Sequence, residues 1–163
     1  MLKKCLVVIV SILISLSLVS CKKKEEQPVP RASGPGTGVM MPPGETKVVV
    51  PEAVKGKWDA VKLVIEDKIA KKTSEVTVKL DSEYTIPNSN LKIKVGEFLP
   101  DFKMDGLTIT SSSNEPNNPA VRVVVYEGGK EIFKGWLYSK FPTIHPFQHD
   151  KYGITLKEGV KKG

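Results

Sequence analysis

From Val48 onwards, apolar side chains recur at every second position in short runs, and turn-forming residues close the runs. Val61, Leu63 and Ile65 alternate with Lys62, Val64 and Glu66, and Val76, Val78 and Leu80 alternate with Thr77 and Lys79. Leu91, Ile93 and Val95 alternate with Lys92 and Lys94, and Leu107 and Ile109 follow an Asp105-Gly106 turn. Val121, Val123 and Val125 lead through Gly128-Gly129 into Ile132, Lys134, Trp136 and Tyr138. Successive side chains of a strand point to opposite faces, so a period of two describes strands that bury one face and wet the other. A helix needs a period near 3.6, and no segment sustains one. Residues 54–60 offer at most the start of a helical turn. Glu127-Gly128-Gly129-Lys130 is the best hairpin signal, because a two-residue hairpin turn needs positive φ at both central positions. The pattern predicts an all-β domain over residues 48–163, a small antiparallel β-sandwich or barrel of about seven strands. Its length is enough for one independent core.

The first residues follow another logic. Met1-Leu2-Lys3-Lys4 is a positive head, Leu6 to Val19 is an apolar run interrupted only by serines, and Leu18-Val19-Ser20-Cys21 closes it. This is the layout of a secretory signal, too short and too abruptly ended for a comfortable membrane span. The closing tetrapeptide resembles the bacterial lipobox, which implies cleavage after residue 20 and a diacylated Cys21 as the first mature residue. A thiolate is nucleophilic enough to accept the diacylglyceryl group. At about 0.8 kcal/mol per buried methylene, two or three acyl chains hold a soluble domain on a membrane. Residues 1–20 are therefore expected to be a signal helix that is removed. Residues 21–47 are expected to be the lipid anchor and a disordered linker. Pro28, Pro30, Pro35, Pro42 and Pro43 stand there among Gly34, Gly36, Gly38 and Gly44, a composition that cannot bury enough surface to repay its ordering. A random-coil estimate gives this linker roughly 28 Å of reach.

Charge and cysteine content narrow the partners. The formal charge of +7 falls to +5 when Lys3 and Lys4 leave with the signal. Lys22, Lys23 and Lys24 sit beside the anchor, where they can meet anionic head groups. The other basic residues alternate with acidic ones and read as solvated faces, not as a nucleic-acid footprint. The second cysteine, Cys5, lies in the signal, so the mature chain holds no disulfide and no Cys-based zinc site. The expected setting is the periplasmic side of a membrane. Lys22 directly after the anchor, where some bacteria use Asp for inner-membrane retention, favours the outer membrane.

Two blocks carry a family likeness. Val95-Gly96-Glu97-Phe98-Leu99-Pro100-Asp101-Phe102 stands with Asn114-Glu115-Pro116-Asn117-Asn118-Pro119-Ala120, and Phe133-Lys134-Gly135-Trp136-Leu137-Tyr138 is followed by His145 and by His149-Asp150-Lys151-Tyr152. From about Val50 to Leu156 the chain resembles the bacterial family called domain of unknown function 2155. That resemblance implies a domain boundary and an extracytoplasmic setting but no chemistry. Some branches of the family carry a cysteine pair that this chain lacks. The first block is also similar to extracytoplasmic β segments of ResB-type cytochrome c biogenesis proteins.

The residues able to carry chemistry are few. His145 and His149 are four apart, the spacing that aligns two imidazoles on a helix, with Asp150 as a third ligand; the plainer reading is a turn cap and local packing, with no metal. Ser111, Ser112 and Ser113 lack the Gly-x-Ser-x-Gly elbow of a hydrolase. Ser111 to Pro119 is either turn chemistry or a recognition loop presenting Asn117 and Asn118. Gly135 inside a strand marks a bulge or a close approach. Trp136 is read as core beside Trp58, Phe133 and Phe141, or else as an exposed shelf with Tyr138, Phe147 and Tyr152. The expectation is a non-enzymatic, cofactor-free binding or accessory module, held to a membrane through Cys21 and docking an envelope protein. An accessory factor in haem or cytochrome c maturation and an envelope-polymer hydrolase are the alternatives.

Overall fold

The computed structural model describes residues 46–163. The expected signal peptide, Cys21 and all but the last two linker residues lie outside the described residues. Ten strands follow in chain order: β1 Lys47–Val48, β2 Trp58–Asp67, β3 Lys72–Lys79, β4 Glu83–Thr85, β5 Leu91–Leu99, β6 Phe102–Asp105, β7 Thr108–Ser111, β8 Ala120–Glu127, β9 Lys130–Tyr138 and β10 Tyr152–Lys161. There is no helix among the described residues. The domain is all-β, as the alternation requires. Lys47, the last residue assigned to the linker, already belongs to a strand.

The strands form three sheets, ordered β10-β2-β3, β4-β5-β8-β9 and β1-β7-β6. Leu63, Ile65, Ile154 and Leu156 of the first share one core with Leu91, Ile93, Val95, Val121, Val123 and Val125 of the second. These are the alternate positions of their strands, so the two sheets pack face to face as a sandwich. The β8–β9 hairpin turns on Gly128 and Gly129 at φ 56 and 86, a pair that only glycine adopts without strain.

Four details differ from the sequence expectation. Ten strands replace about seven, because β1, β4, β6 and β7 span two to four residues and are too short to display a period. The arrangement is not wholly antiparallel, since β1 runs parallel to β7. The turn before Trp58 lies earlier than residues 54–60 and closes only once: the Pro51 carbonyl accepts from the Val54 and Lys55 amides at 2.9 and 3.0 Å, Gly56 at φ 66 ends it, and residues 58–60 are already strand. In β9 the inward frame is Phe133, Gly135 and Leu137, opposite Val125, Val123 and Val121, and not Ile132, Trp136 and Tyr138.

One ion pair gives the outer face of the first sheet a pH signature. Lys62 Nζ lies 2.6 Å from Glu158 Oε1. The hydrogen bond to Lys62 and then its charge lower the Glu158 carboxyl, and the same contacts raise Lys62. A lowered acid stabilises above its unfolded titration and loses that contribution as pH falls through the folded one. A raised base stabilises below its unfolded titration and loses it as pH rises through the folded one. Both groups are exposed and screened, so the effect is small. Lys62→Met is expected to lower the melting temperature slightly at neutral pH and not at all below the carboxylate range or above the lysine range.

Candidate docking face

The outer face of the four-stranded sheet is built by the register that buries its inner face. Val121 and Leu137 point into the core, so their neighbours Arg122 and Trp136, themselves a cross-strand pair, point out. Tyr138 shares that face. Phe102, the first residue of β6, meets both rings, at 5.3 Å from Trp136 and at 5.1 Å and 90° from Tyr138. Edge-to-face contacts of this kind are favourable for aromatic pairs. All three rings are half-buried. Burial alone raises the Tyr138 phenol above its ordinary value.

Phe102 is held by the loop that precedes β8. Its amide donates to the Asn118 carbonyl at 2.9 Å, and Asn118 Nδ2 donates to the Phe102 carbonyl at 3.0 Å. Asn118 Oδ1 is buried with no hydrogen-bond partner, an uncommon arrangement costing about 1–3 kcal/mol. Next to it, Asp101 Oδ2 accepts from Ser113 Oγ at 2.8 Å and from Asn117 Nδ2 at 3.4 Å. Ser111, the one buried polar residue of the described chain, accepts the Asp101 amide at 2.9 Å and donates to the Ser113 carbonyl at 2.8 Å. Its hydroxyl is thus committed to backbone on both sides. Ser111→Ala leaves a buried amide and a carbonyl unpaired and is expected to cost about 1–3 kcal/mol in a denaturation midpoint. An unchanged midpoint would mean that the loop is held by something else.

Beside the aromatic shelf, a groove of about 490 Å³ crosses the same face. Lys94 and Lys134 flank Val124 across three adjacent strands. Arg122 links groove and shelf, with Glu97 Oε1 3.3 Å from its Nη1. Apolar rings beside charges of both signs suit a polypeptide surface.

The predicted site residues divide. Asn117, Asn118, Trp136 and Tyr138 come together around Phe102. Trp136 is not core: Trp58 is buried against Phe98 at 4.8 Å, and Phe141 is 51% exposed. Phe147 and Tyr152 are not shelf residues, since each is 5% exposed. Phe147 packs on Phe133 at 5.6 Å and lies parallel to His149 at 5.9 Å. Sequence reasoning missed Phe102, Asp101 and Arg122. The alternation around Val121 and Val123 already placed Arg122 on the outward face.

His145 and His149 lie in an irregular loop, so helical spacing does not align them. His145 is exposed at φ 46. His149 Nδ1 accepts the Lys151 and Tyr152 amides, each at 3.1 Å, and Nε2 lies 3.5 Å from Glu127 Oε1. Asp150 is exposed beside them. A cleft of about 510 Å³ opens over His149, Glu127 and Asn90. Among the described residues, no three His, Cys, Asp or Glu side chains gather as a metal site.

Fold and face together define an all-β sandwich domain with a half-buried aromatic cluster on the outer face of one sheet. The chain belongs to the family described as an uncharacterized protein conserved in bacteria (DUF2155), whose model matches residues 61–158. No curated protein matches it. No solved structure matches it either.

Proposed function

We propose that this protein is a non-enzymatic docking domain of the bacterial envelope, lipidated at Cys21 and facing the periplasm, that binds another envelope protein through the outer face of its four-stranded sheet. The carrying observation is the meeting of Phe102, Trp136 and Tyr138 beside Asn117 and Arg122 on one half-exposed surface. Aromatic and Arg side chains dominate the energetics of protein interfaces. The charged head, apolar run and lipobox of the first 21 residues support the location, and the net positive segment after Cys21 supports contact with anionic lipid. The outer membrane is the favoured destination. The hydroxyl of Ser111 and Nδ1 of His149 are both bonded to backbone, which supports structural rather than catalytic roles for them.

Two measurements test this. Cys21→Ser should release the protein from the membrane fraction and change its processed mass; persistence in that fraction at unchanged mass removes the anchor. A photo-crosslinking amino acid at Trp136 or Tyr138 in living cells should capture a discrete protein adduct that the same probe at exposed Lys55 does not. Equal labelling from both places would remove the docking face.

A further inference from the structure

An unpaired sheet edge exposes a row of backbone donors and acceptors, and folded proteins blunt such edges with short strands or bulges. Six strands lie at edges here: β1, β6, β10, β3, β4 and β9. Of these, β1, β4 and β6 span four residues or fewer. The strand β9 carries a bulge at Ile132, and β10 carries one at Lys157. Only β3 is left, eight residues long and in unbroken register with β2. No bulge, proline or glycine interrupts it.

The hydrogen-bonding parity of β3 follows from its end. The Leu80 amide donates to the Asp59 carbonyl at 2.9 Å. In an antiparallel ladder alternate residues address the same neighbour. Lys72, Ser74, Val76 and Val78 therefore turn their amides and carbonyls towards β2, and Thr73, Glu75, Thr77 and Lys79 turn theirs outward. The Lys68 amide bonds to the Lys151 carbonyl at 2.8 Å, which puts the even residues of β2 towards β10 and agrees. Among the described residues, nothing bonds to the outward amides of Thr73, Glu75 and Thr77. The Lys79 carbonyl accepts Ser82 Oγ at 2.7 Å and keeps its second lone pair for a neighbouring strand.

We infer that β3 pairs antiparallel with β3 of a second copy of this chain, about a twofold axis at Thr77, to make one continuous six-stranded sheet. The charges on the edge choose the occupant. In that register Glu75 of each copy lies opposite Lys79 of the other, Thr77 faces Thr77, and Val76 faces Val78 on the core side. Opposite charges and Thr–Thr pairs directly across strands are favourable, whereas a twofold at Glu75 would oppose like charges. Lys79 has no carboxylate within 4.0 Å among the described residues, so its ammonium is available to a partner. Glu75, by contrast, already accepts Lys157 Nζ of its own chain at 2.6 and 2.8 Å and would take the partner's Lys79 as a second cation. One strand pair buries less than the roughly 1,000 Å² of a stable interface, so the association is weak in dilute solution and strengthened by crowding on a surface.

The test uses the full chain in detergent with Cys5→Ser and Cys21→Ser, leaving one introduced thiol. Residues opposite each other in a hydrogen-bonded pair lie about 5.5 Å apart, within disulfide range. Thr77→Cys should therefore cross-link to a dimer under mild oxidation at least about tenfold faster than Thr73→Cys, whose mate lies roughly 26 Å away along the strands. Both positions are exposed, so neither substitution disturbs the core. Adding Lys79→Glu should slow the Thr77→Cys reaction about fivefold, and adding Glu75→Lys as well should restore it. Equal rates at positions 73 and 77, or no rescue by the double reversal, would overturn the pairing.

Discussion

Trp58→Ala is expected to lower the unfolding free energy by about 3–5 kcal/mol, a large part of the 5–15 kcal/mol or so that holds a domain of this size together. Trp58 opens β2 and is 7% exposed. Its ring lies 4.8 Å from Phe98, and its Nε1 donates to Asn114 Oδ1 at 2.8 Å. The third wall is Gly159 of β10, where a Cβ would stand 2.3 Å from Phe98 Cζ and 2.9 Å from Trp58 Cε3. Three elements converge on the indole, and Lys161 Nζ lies over its ring at 5.6 Å, a charged side chain that does not favour filling an apolar cavity. The indole also ties the loop before β8 to the sandwich, and its loss should expose residues 112–117 to protease. Trp58→Phe keeps most of the ring and frees an Asn114 that can turn to water, so it should cost about 1–2 kcal/mol. Gly159→Ala should be destabilising by about 1–3 kcal/mol through crowding, and less so when Phe98 is shortened to Leu. Urea midpoints of the four variants check this; Trp58→Ala matching the wild type would place the indole outside the core.

The long strands were legible because they obey a simple rule. β2 from Val61 to Ile65, β5 from Leu91 to Val95 and β8 from Val121 to Val125 alternate without interruption, although β5 shifts register between Val95 and Phe98. Gly128-Gly129 marks its hairpin unambiguously. β10 is harder to read. Tyr152, Ile154 and Leu156 alternate, but the bulge at Lys157 shifts the register against β2, and no apolar residue follows until Val160. β9 misleads for a related reason. Its inward frame contains Gly135, whose missing side chain is replaced by the Phe133 ring, 2.9 Å from where a Cβ would stand. The outward frame holds Ile132, Trp136 and Tyr138 and so looks the more apolar of the two. A glycine covered by a neighbouring ring hides the buried face from any count of apolar residues.

The same blind spot split the candidate site. Asn117 and Asn118 were legible as a polar loop, and Trp136 with Tyr138 as an aromatic pair two apart. Their joining partner, Phe102, is brought in by a parallel bridge between Asp101 and Asn118. Nothing local in the sequence announces that bridge. Phe147 fell on the wrong side because a lone aromatic in a Pro-flanked loop carries no periodicity from which to assign a face. Tyr152, by contrast, opens β10 in the buried frame of Ile154 and Leu156, an alternation that already pointed it inward.

The contrast between Phe147 and Trp136 turns that correction into a measurement. Phe147 is the one buried residue between Tyr138 and Tyr152, and its ring sits between those of Phe133 and His149. Phe147→Ala should therefore cost about 3–5 kcal/mol. It should also release the segment 139–151, seen as new proteolytic cuts there. Trp136 gives up less on truncation. Its outer side is open, Phe102 and Arg122 can settle over the gap, and the inner frame of β9 is untouched, so Trp136→Ala should cost about 1 kcal/mol. The docking contact responds in the opposite order: Trp136→Ala should abolish the photo-crosslinked adduct from position 138, whereas Phe147→Ala, assayed below its melting temperature, should leave it. If Trp136→Ala unfolds the domain and Phe147→Ala does not, the indole belongs to the core and the outer face of the four-stranded sheet loses its anchor.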